Sequence, residues 1–451
     1  MSPAERAEAA LAACVATFQL YLHLPDPAAL YVTLATVAVN RAEGDPLWVL
    51  LVGPPGGGKT EILGSVTALP DVFPTATLTE AALLSGTPKR EKAESAKGGL
   101  LREIGAEPAI LLCKDFGSVL SMNRDARASV LAALREVYDG SWTRHLGTDG
   151  GRTLSWEGKV GLLGGVTPAV DSHHAVMGSL GERFLLFRLP EVDADAQAHR
   201  ALEHLGNERK MRVDLARTAS DVLQSVETAK LTAPAIETLS DELVALATLT
   251  VRARSAVERD AYSREVTLIP QSEAPARFTL VLLRLWNGLR AIGLDEQRTR
   301  DVVAKAALDS MPQVRRQVLQ ALVERSGRVV LSDLAEAIGY PVTTSRRACE
   351  DLAGHGLVER IHSGNGDKWR ASTFATQRWP LVPEKSEGIR SLPEKSEATH
   401  SLSTLLCTND DKTGTVPYLN PDGDARDLTL DELDALEAER SLTSASPVPR
   451  S

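Results

Sequence analysis

The stretch Gly53-Pro54-Pro55-Gly56-Gly57-Gly58-Lys59-Thr60 fits the pattern G-x-x-x-x-G-K-[ST] and follows the apolar run Leu47 to Val52, which reads as a buried strand. A strand, a glycine-rich turn and a helix start in that order leave few folds open. The glycines let successive backbone N–H groups turn inward around an anion, and the helix from about Thr60 to Leu69 aims its positive end at the same point. This is the chemistry of a phosphate cradle: Lys59 reaches the β- and γ-phosphates of a nucleotide, and the Thr60 hydroxyl is a ligand for Mg²⁺. ATP and Mg²⁺ are therefore the expected cofactors, on an α/β fold built around that strand.

The rest of the chain sets bounds. Its 451 residues, 43% of them hydrophobic, are enough for a sizeable core and two to three domains. No apolar run reaches 18 residues, and Met1 to Ala10 is acidic and alanine-rich, so neither a membrane span nor a signal peptide is expected and the cytoplasm is the expected compartment. Cys14, Cys113, Cys349 and Cys407 form no C-x-x-C pair, which argues against a zinc ribbon or a disulfide framework. The net charge of −10 is uneven: 373–451 holds 8 Lys/Arg against 14 Asp/Glu, whereas 313–372 holds 9 against 7. An acidic tail thus leaves the remainder able to present basic surfaces locally.

Residues 1–45 read as an N-terminal helical cap, with helices over Ala4 to Leu22 and Pro27 to Asn40. Beyond the phosphate loop come a short segment at Ala76 to Thr79, a polar stretch around Pro88 to Lys97, and the apolar strand Ala109 to Cys113, which ends at Lys114-Asp115-Phe116. An acid at such a strand tip is placed to hold Mg²⁺ or the attacking water, the alternative being a merely solvated or capping aspartate. Asn123 to Tyr138 reads as a helix. Ser141 to Glu157 reads as a hairpin turning at Thr148-Asp149-Gly150-Gly151. It carries Arg144, His145 and Arg152 beside Trp142 and Trp156, a mixture that fits a nucleic-acid backbone or, equally, a solvated surface with tryptophans packed inward.

The sequence then offers a strand from Val160 to Leu163, Gly164-Gly165, Thr167, and Gly181-Glu182-Arg183-Phe184 opening another strand. Phosphate loop, acid-tipped strand, helix, hairpin, strand ending in a polar residue and then Arg beside Phe resembles the AAA+ ATPase layout over 46–190, with similarity to minichromosome-maintenance-type helicases and to ATPases of phages and mobile elements. That resemblance implies an AAA+ core in which Lys59 and Thr60 are the Walker A lysine and hydroxyl, Thr167 is the sensor that helps hold the attacking water, and Arg183 is an arginine finger acting on a neighbouring subunit, hence a homo-oligomeric ring. The match departs at Walker B. Those helicases carry Asp-Glu-Phe where this chain has Lys114-Asp115-Phe116, so Lys114 stands for the metal-ligating Asp and the shorter Asp115 for the catalytic Glu; ATP binding is better supported than hydrolysis. Glu136 is an alternative carboxylate. Residues 191–312 are mainly helical, strongly so over Ile236 to Ala253 and Phe278 to Ile292, and suit a lid. By the same resemblance Arg277 is carried over as a sensor-2 arginine at the nucleotide, a solvent-facing helix start being the other reading. His173-His174 lacks ligands at metal spacing and reads as a loop pair.

Residues 313–372 resemble a winged helix-turn-helix: a helix over Val314 to Arg325, a short helix ending at Gly339, a second from Val342 to Ala353, strand Leu357 to His362, turn Ser363-Gly364-Asn365-Gly366 and strand Lys368 to Ala371. Thr344, Ser345, Arg346 and Arg347 stand where base-edge and phosphate contacts are made, and Lys368 and Arg370 would serve the wing. Such modules also bind proteins, and both readings stay open here. From residue 373 onward the composition is that of a disordered acidic tail, with Pro383-Glu384-Lys385-Ser386-Glu387 recurring as Pro393-Glu394-Lys395-Ser396-Glu397. Thr429 to Glu432 reads as a capping box before a short helix to about Arg440, a possible dock for a protein partner. Together these features point to an ATPase acting on DNA as a helicase or initiator of a phage or mobile element; the rival is a nucleotide-gated transcriptional regulator with weak or no hydrolysis.

Overall fold

The computed structural model describes residues 1–85, 98–146, 152–174, 183–234, 236–260, 262–362, 367–380, 415–419 and 425–429. At its centre is a parallel sheet formed by β1 (Trp48–Val52), β2 (Val72–Thr75), β3 (Ala109–Cys113) and, after the hairpin β4 (Ser141–Leu146) and β5 (Arg152–Glu157), by β6 (Val160–Val166) and β7 (Phe184–Arg188). The strand order is β2-β3-β6-β1-β7, and every pairing within it is parallel. β1 and β3 are apolar at every position because both faces of the sheet are covered. β2 lies just before the short segment noted at Ala76 to Thr79, and has Pro74 inside it. The strand lies at the sheet edge, where a residue without an N–H is tolerated.

Side-chain alternation divides the core. Val49, Leu51, Leu163 and Phe187 point into one cluster, shared with α1 (Pro3–Tyr21), α2 (Ala28–Asn40), α3 (Lys59–Gly64) and the helices after β7. Trp48, Leu50, Leu162 and Phe184 point into the other, closed by α4 (Arg124–Tyr138) and the β4–β5 hairpin. The helices after β7 are α5 (Ala194–Glu203), α6 (Glu208–Gln224), α7 (Glu237–Arg254), α8 (Ala276–Ala291) and α9 (Glu296–Asp309), with the short hairpin β8 (Glu258–Arg259) and β9 (Val266–Leu268) between α7 and α8. Because α6 to α9 pack with α1 and α2 in one apolar cluster, the expected N-terminal cap and most of the expected lid form a single layer over the sheet. Asn40 fixes where β1 starts. Buried at the end of α2, it donates to the Thr36 and Leu47 carbonyls and accepts from Leu47 N–H at 2.9 Å, holding the residue that leads into β1 as a strand partner would.

C-terminal to α9, α10 (Gln313–Glu324), α11 (Leu331–Ile338) and α12 (Val342–Gly354) surround a third cluster with the antiparallel sheet of β10 (Val329–Val330), β11 (Val358–Ile361) and β12 (Lys368–Ala371), ordered β10-β12-β11. Gly339 ends α11 with φ of 71°, the left-handed turn that glycine adopts freely, and so lets the chain reverse into α12. Part of the segment expected to be disordered is ordered. Thr373–Arg378 is a helix capped by Ser372, and Thr415–Leu419 pairs antiparallel with Ala425–Thr429. Thr429 therefore ends a strand. The polar stretch at 88–97, the turns at 148–151 and 363–366, Gly181-Glu182, both Pro-Glu-Lys-Ser-Glu copies, Cys407 and the helix expected at 430–440 lie outside the described residues.

Candidate functional site

Three loops leave the carboxyl edge of the sheet side by side. β6 lies between β1 and β3, so Thr167, which follows β6, stands between the phosphate-binding loop after β1 and Asp115 after β3. Clefts at the carboxyl ends of parallel strands are where α/β folds hold ligands.

The first loop has the conformation its glycines allow. Gly56 and Gly58 have φ of 78° and 82°, and Gly57 N–H closes a turn onto the Pro54 carbonyl at 3.1 Å. Pro54 and Pro55 are exposed, and α3 begins at Lys59. The Lys59 ammonium folds back to donate to the Gly53 and Pro54 carbonyls, both at 2.6 Å. Burial lowers its pKa, and the nearby Asp115 carboxylate opposes that shift, which puts the two side chains within electrostatic reach of each other. Thr60 is exposed in the first turn of α3. Asp115 is exposed too, with Oδ1 accepting from Gly117 N–H at 3.0 Å, while Lys114 faces solvent. Thr60 and Asp115 are hard oxygen donors of the kind Mg²⁺ takes in company with phosphate oxygens. Among the described residues no group of three or more His, Cys, Asp or Glu forms a metal site.

Beside the loop lies a cleft of about 170 Å³ that the sequence did not reveal. Leu22, Leu24, Ile62 and Leu189 give it apolar walls, and His23, Gln197 and Arg200 line it with polar groups. Gln197 Nε2 donates to the Gly56 carbonyl at 3.1 Å, so α5 touches the phosphate-binding loop directly. These residues come from the α1–α2 connection and from beyond β7, too far in sequence from the motif for any local pattern to join them. A strand followed by Leu189-Pro190 was the one available hint.

Other predicted site residues lie elsewhere. Arg183 enters β7 at the opposite, amino edge of the sheet, beside Trp48, roughly 15 Å from the loop by strand rise. It is buried, with Nη2 2.9 Å from both Asp139 oxygens and its guanidinium over the Tyr138 ring. In this conformation it presents no charge to a neighbouring subunit. Arg277 is exposed in the first turn of α8, within electrostatic reach of Tyr138, whose ring packs against Trp48 at the start of β1. Glu136 is exposed in the last turn of α4, one residue pair from that same Tyr138, and also stands away from the cradle.

The expected DNA contacts divide likewise. Trp142 and Trp156 are buried, and Arg144 is held against Glu80 at 2.8 Å and the Leu84 carbonyl at 2.7 Å, so the packed-inward reading of the hairpin holds at these positions. His145 is exposed, and the Arg152 side chain lies outside what is described. Ser345 is fully buried, its hydroxyl donating to the Pro341 carbonyl; position 345 falls on the core face of α12, so it cannot meet DNA. Arg346 and Arg347 are exposed on the opposite face, and Thr344 is half-buried. On the wing, Arg370 pairs with Glu359 and Arg360 with Asp367, which neutralises much of its charge; Lys368 is half-buried.

No protein-family model matches the chain, and no curated protein matches it in sequence. Among solved structures it is similar to the S. cerevisiae Hsp104-ADP complex at 18% identity and a TM-score of 0.22, over 76% of this chain and 52% of that one. The chain thus spans about half the length of that protein, and a likeness this loose fixes neither fold nor function. No described helix is long and apolar enough to cross a membrane.

Proposed function

We propose that this chain is an AAA+-type ATPase that binds Mg²⁺-ATP at Gly53 to Thr60 and acts on DNA through a C-terminal winged helix, as an oligomer. The observation that carries the reading is the side-by-side order of cradle, Thr167 and Asp115 on one sheet edge, with Lys59 buried in the cradle within electrostatic reach of Asp115. Mg²⁺ would neutralise phosphate charge and polarise the γ-phosphate. Lys59 would exchange its two carbonyl partners for phosphate oxygens, Thr60 would meet the ion, and Asp115 with Thr167 would orient water. The cleft wall of Leu22, Leu24 and Leu189 would receive the base. Arg346 and Arg347 would hold duplex DNA on α12, most of the wing's charge being already paired.

A second reading, a nucleotide-gated DNA-binding regulator with little turnover, is favoured by two features. Asp115 is a lone carboxylate next to a solvent-facing Lys114, and Arg183 is clamped by Asp139. Turnover of purified protein with and without duplex and single-stranded DNA separates the two. DNA-stimulated hydrolysis abolished by Lys59→Ala supports the ATPase, whereas tight ATP and duplex binding without hydrolysis supports the regulator. ATP affinity unchanged by Lys59→Ala would sink both, since loss of a phosphate-binding lysine is expected to weaken binding by roughly tenfold or more.

A further inference from the structure

We propose that Arg188 and Asp171 form a relay carrying the state of the phosphate-binding loop to α10, an inference that rests on nucleotide binding at that loop. β7 is an edge strand, and its outward N–H groups have no strand partner. Leu186 N–H donates instead to Ser310 Oγ at 3.0 Å and Arg188 N–H to Asp309 Oδ2 at 2.8 Å, which fastens the end of α9 along the sheet edge.

The Arg188 side chain, only 9% exposed, then joins two further elements. Its Nη1 and Nη2 bind the Asp171 carboxylate at 2.9 and 2.8 Å, and its Nε and Nη2 donate to the Asp309 and Met311 carbonyls at 3.1 and 3.2 Å. Asp171 belongs to the 3₁₀ turn Pro168–His173, which starts immediately after Thr167, and it also accepts the N–H of Gln313, the first residue of α10, at 3.1 Å. Asp309 is fully buried and takes Lys305 of its own helix and Arg316 of α10. Five charges from four elements thus meet around buried Arg188 and Asp309, with Asp171, Lys305 and Arg316 half-buried at the rim; displacing a rim partner leaves a buried charge unpaired, so the cluster favours discrete arrangements over gradual drift.

The relay's other end lies at the cradle. Leu189 directly follows Arg188, donates its N–H to Val52 at 2.8 Å, and packs so closely that a Cβ on Gly53 would sit 3.3 Å from its own Cβ. Gly53 is the residue whose carbonyl Lys59 holds. A phosphate that draws Lys59 away releases Gly53, on which Leu189 rests, and the adjoining Arg188 links that movement to the Thr167 turn and to α10. Only a ligand that interacts differently with the two arrangements shifts their balance, and a group replacing the partners of Lys59 meets that requirement.

Hydrogen–deuterium exchange of the full chain, with and without Mg²⁺ and a slowly hydrolysed ATP analogue, tests this. In wild type, nucleotide should change exchange across 309–324 by about fivefold or more, in the range of ordinary coupling energies. Asp171→Asn and Arg188→Lys should still bind the analogue yet lose most of that response. Analogue binding with no change at 309–324, or a full response in both variants, overturns the relay and leaves nucleotide binding standing. Absence of analogue binding in wild type overturns the relay together with the function on which it rests.

Discussion

Gly165 shows how closely single residues set the geometry of the nucleotide edge. A Cβ at this position would lie 2.6 Å from the Lys114 carbonyl oxygen and 3.3 Å from Leu63 Cδ1, and the Lys114 backbone cannot retreat freely because Phe116 N–H is bonded to the Gly165 carbonyl at 2.7 Å. Glycine here provides close approach between β6 and the turn that carries Asp115. Gly165→Ala is expected to destabilise the protein by about 1–3 kcal/mol, the usual cost of forcing a methyl group into packed backbone, and to turn Asp115 away from Lys59. Urea midpoints together with ATP affinity check both effects. A change below about 0.5 kcal/mol with unaltered affinity would show that the turn yields without consequence. Lys59 and Thr60 were legible from sequence because the motif is contiguous; the need for glycine at 165 was not, since its reason is a carbonyl 51 positions earlier in the chain.

At the scale of elements, the carboxyl end of α7 is where the helical layer meets α10 and the end of α12. Its last carbonyls need partners, and side chains supply them: Arg315 donates to Ala253 and Ser255 at 3.0 and 2.7 Å, His174 Nε2 contacts the Arg254 carbonyl at 2.5 Å, and His355 Nε2 contacts Ala256 at 3.2 Å. Burial pushes the His174 pKa down to about 4, with Arg315 and Arg254 adding to the effect while the hydrogen bond and Asp171 oppose it. The sign follows: between about pH 6.5 and 4 the unfolded chain binds a proton there that the folded chain refuses, so stability falls as pH falls through that window. His174→Gln, which keeps a donor and removes the titration, should flatten the acid limb of a stability–pH curve measured by urea midpoints; an identical slope in the variant would contradict it. The sequence read His173-His174 as a loop pair, and periodicity located α7, α8, α10 and α12 to within a residue or two. Faces and partners were harder. Ser345 points inward and Arg277 comes within electrostatic reach of Tyr138 because of how their helices pack, and the Leu22–Leu189 wall joins segments more than 160 positions apart.

For the molecule as a whole, charge is the property that segregates. Residues 393–451 carry five Lys/Arg against twelve Asp/Glu, so a chain ending at Leu392 would change from −10 to −3. Unit 1, Met1 to Leu392, contains the sheet, the helical layer and the C-terminal helices, so the nucleotide edge and α12 both remain in such a chain. If α12 meets DNA through Arg346 and Arg347, the net negative charge of 393–451 repels the duplex at long range. Truncation at Leu392 is then expected to strengthen duplex binding by roughly three- to tenfold near 50 mM salt, and the two proteins should converge as added salt screens charges beyond a Debye length of about 8–10 Å. Fluorescence anisotropy with a labelled duplex across a salt series measures this. Equal affinities at every salt concentration would remove the electrostatic role, and weaker binding by the truncated chain would mean that 393–451 supplies contacts of its own. Arg346→Ala with Arg347→Ala should abolish the difference between the two lengths, because both rely on the same cations.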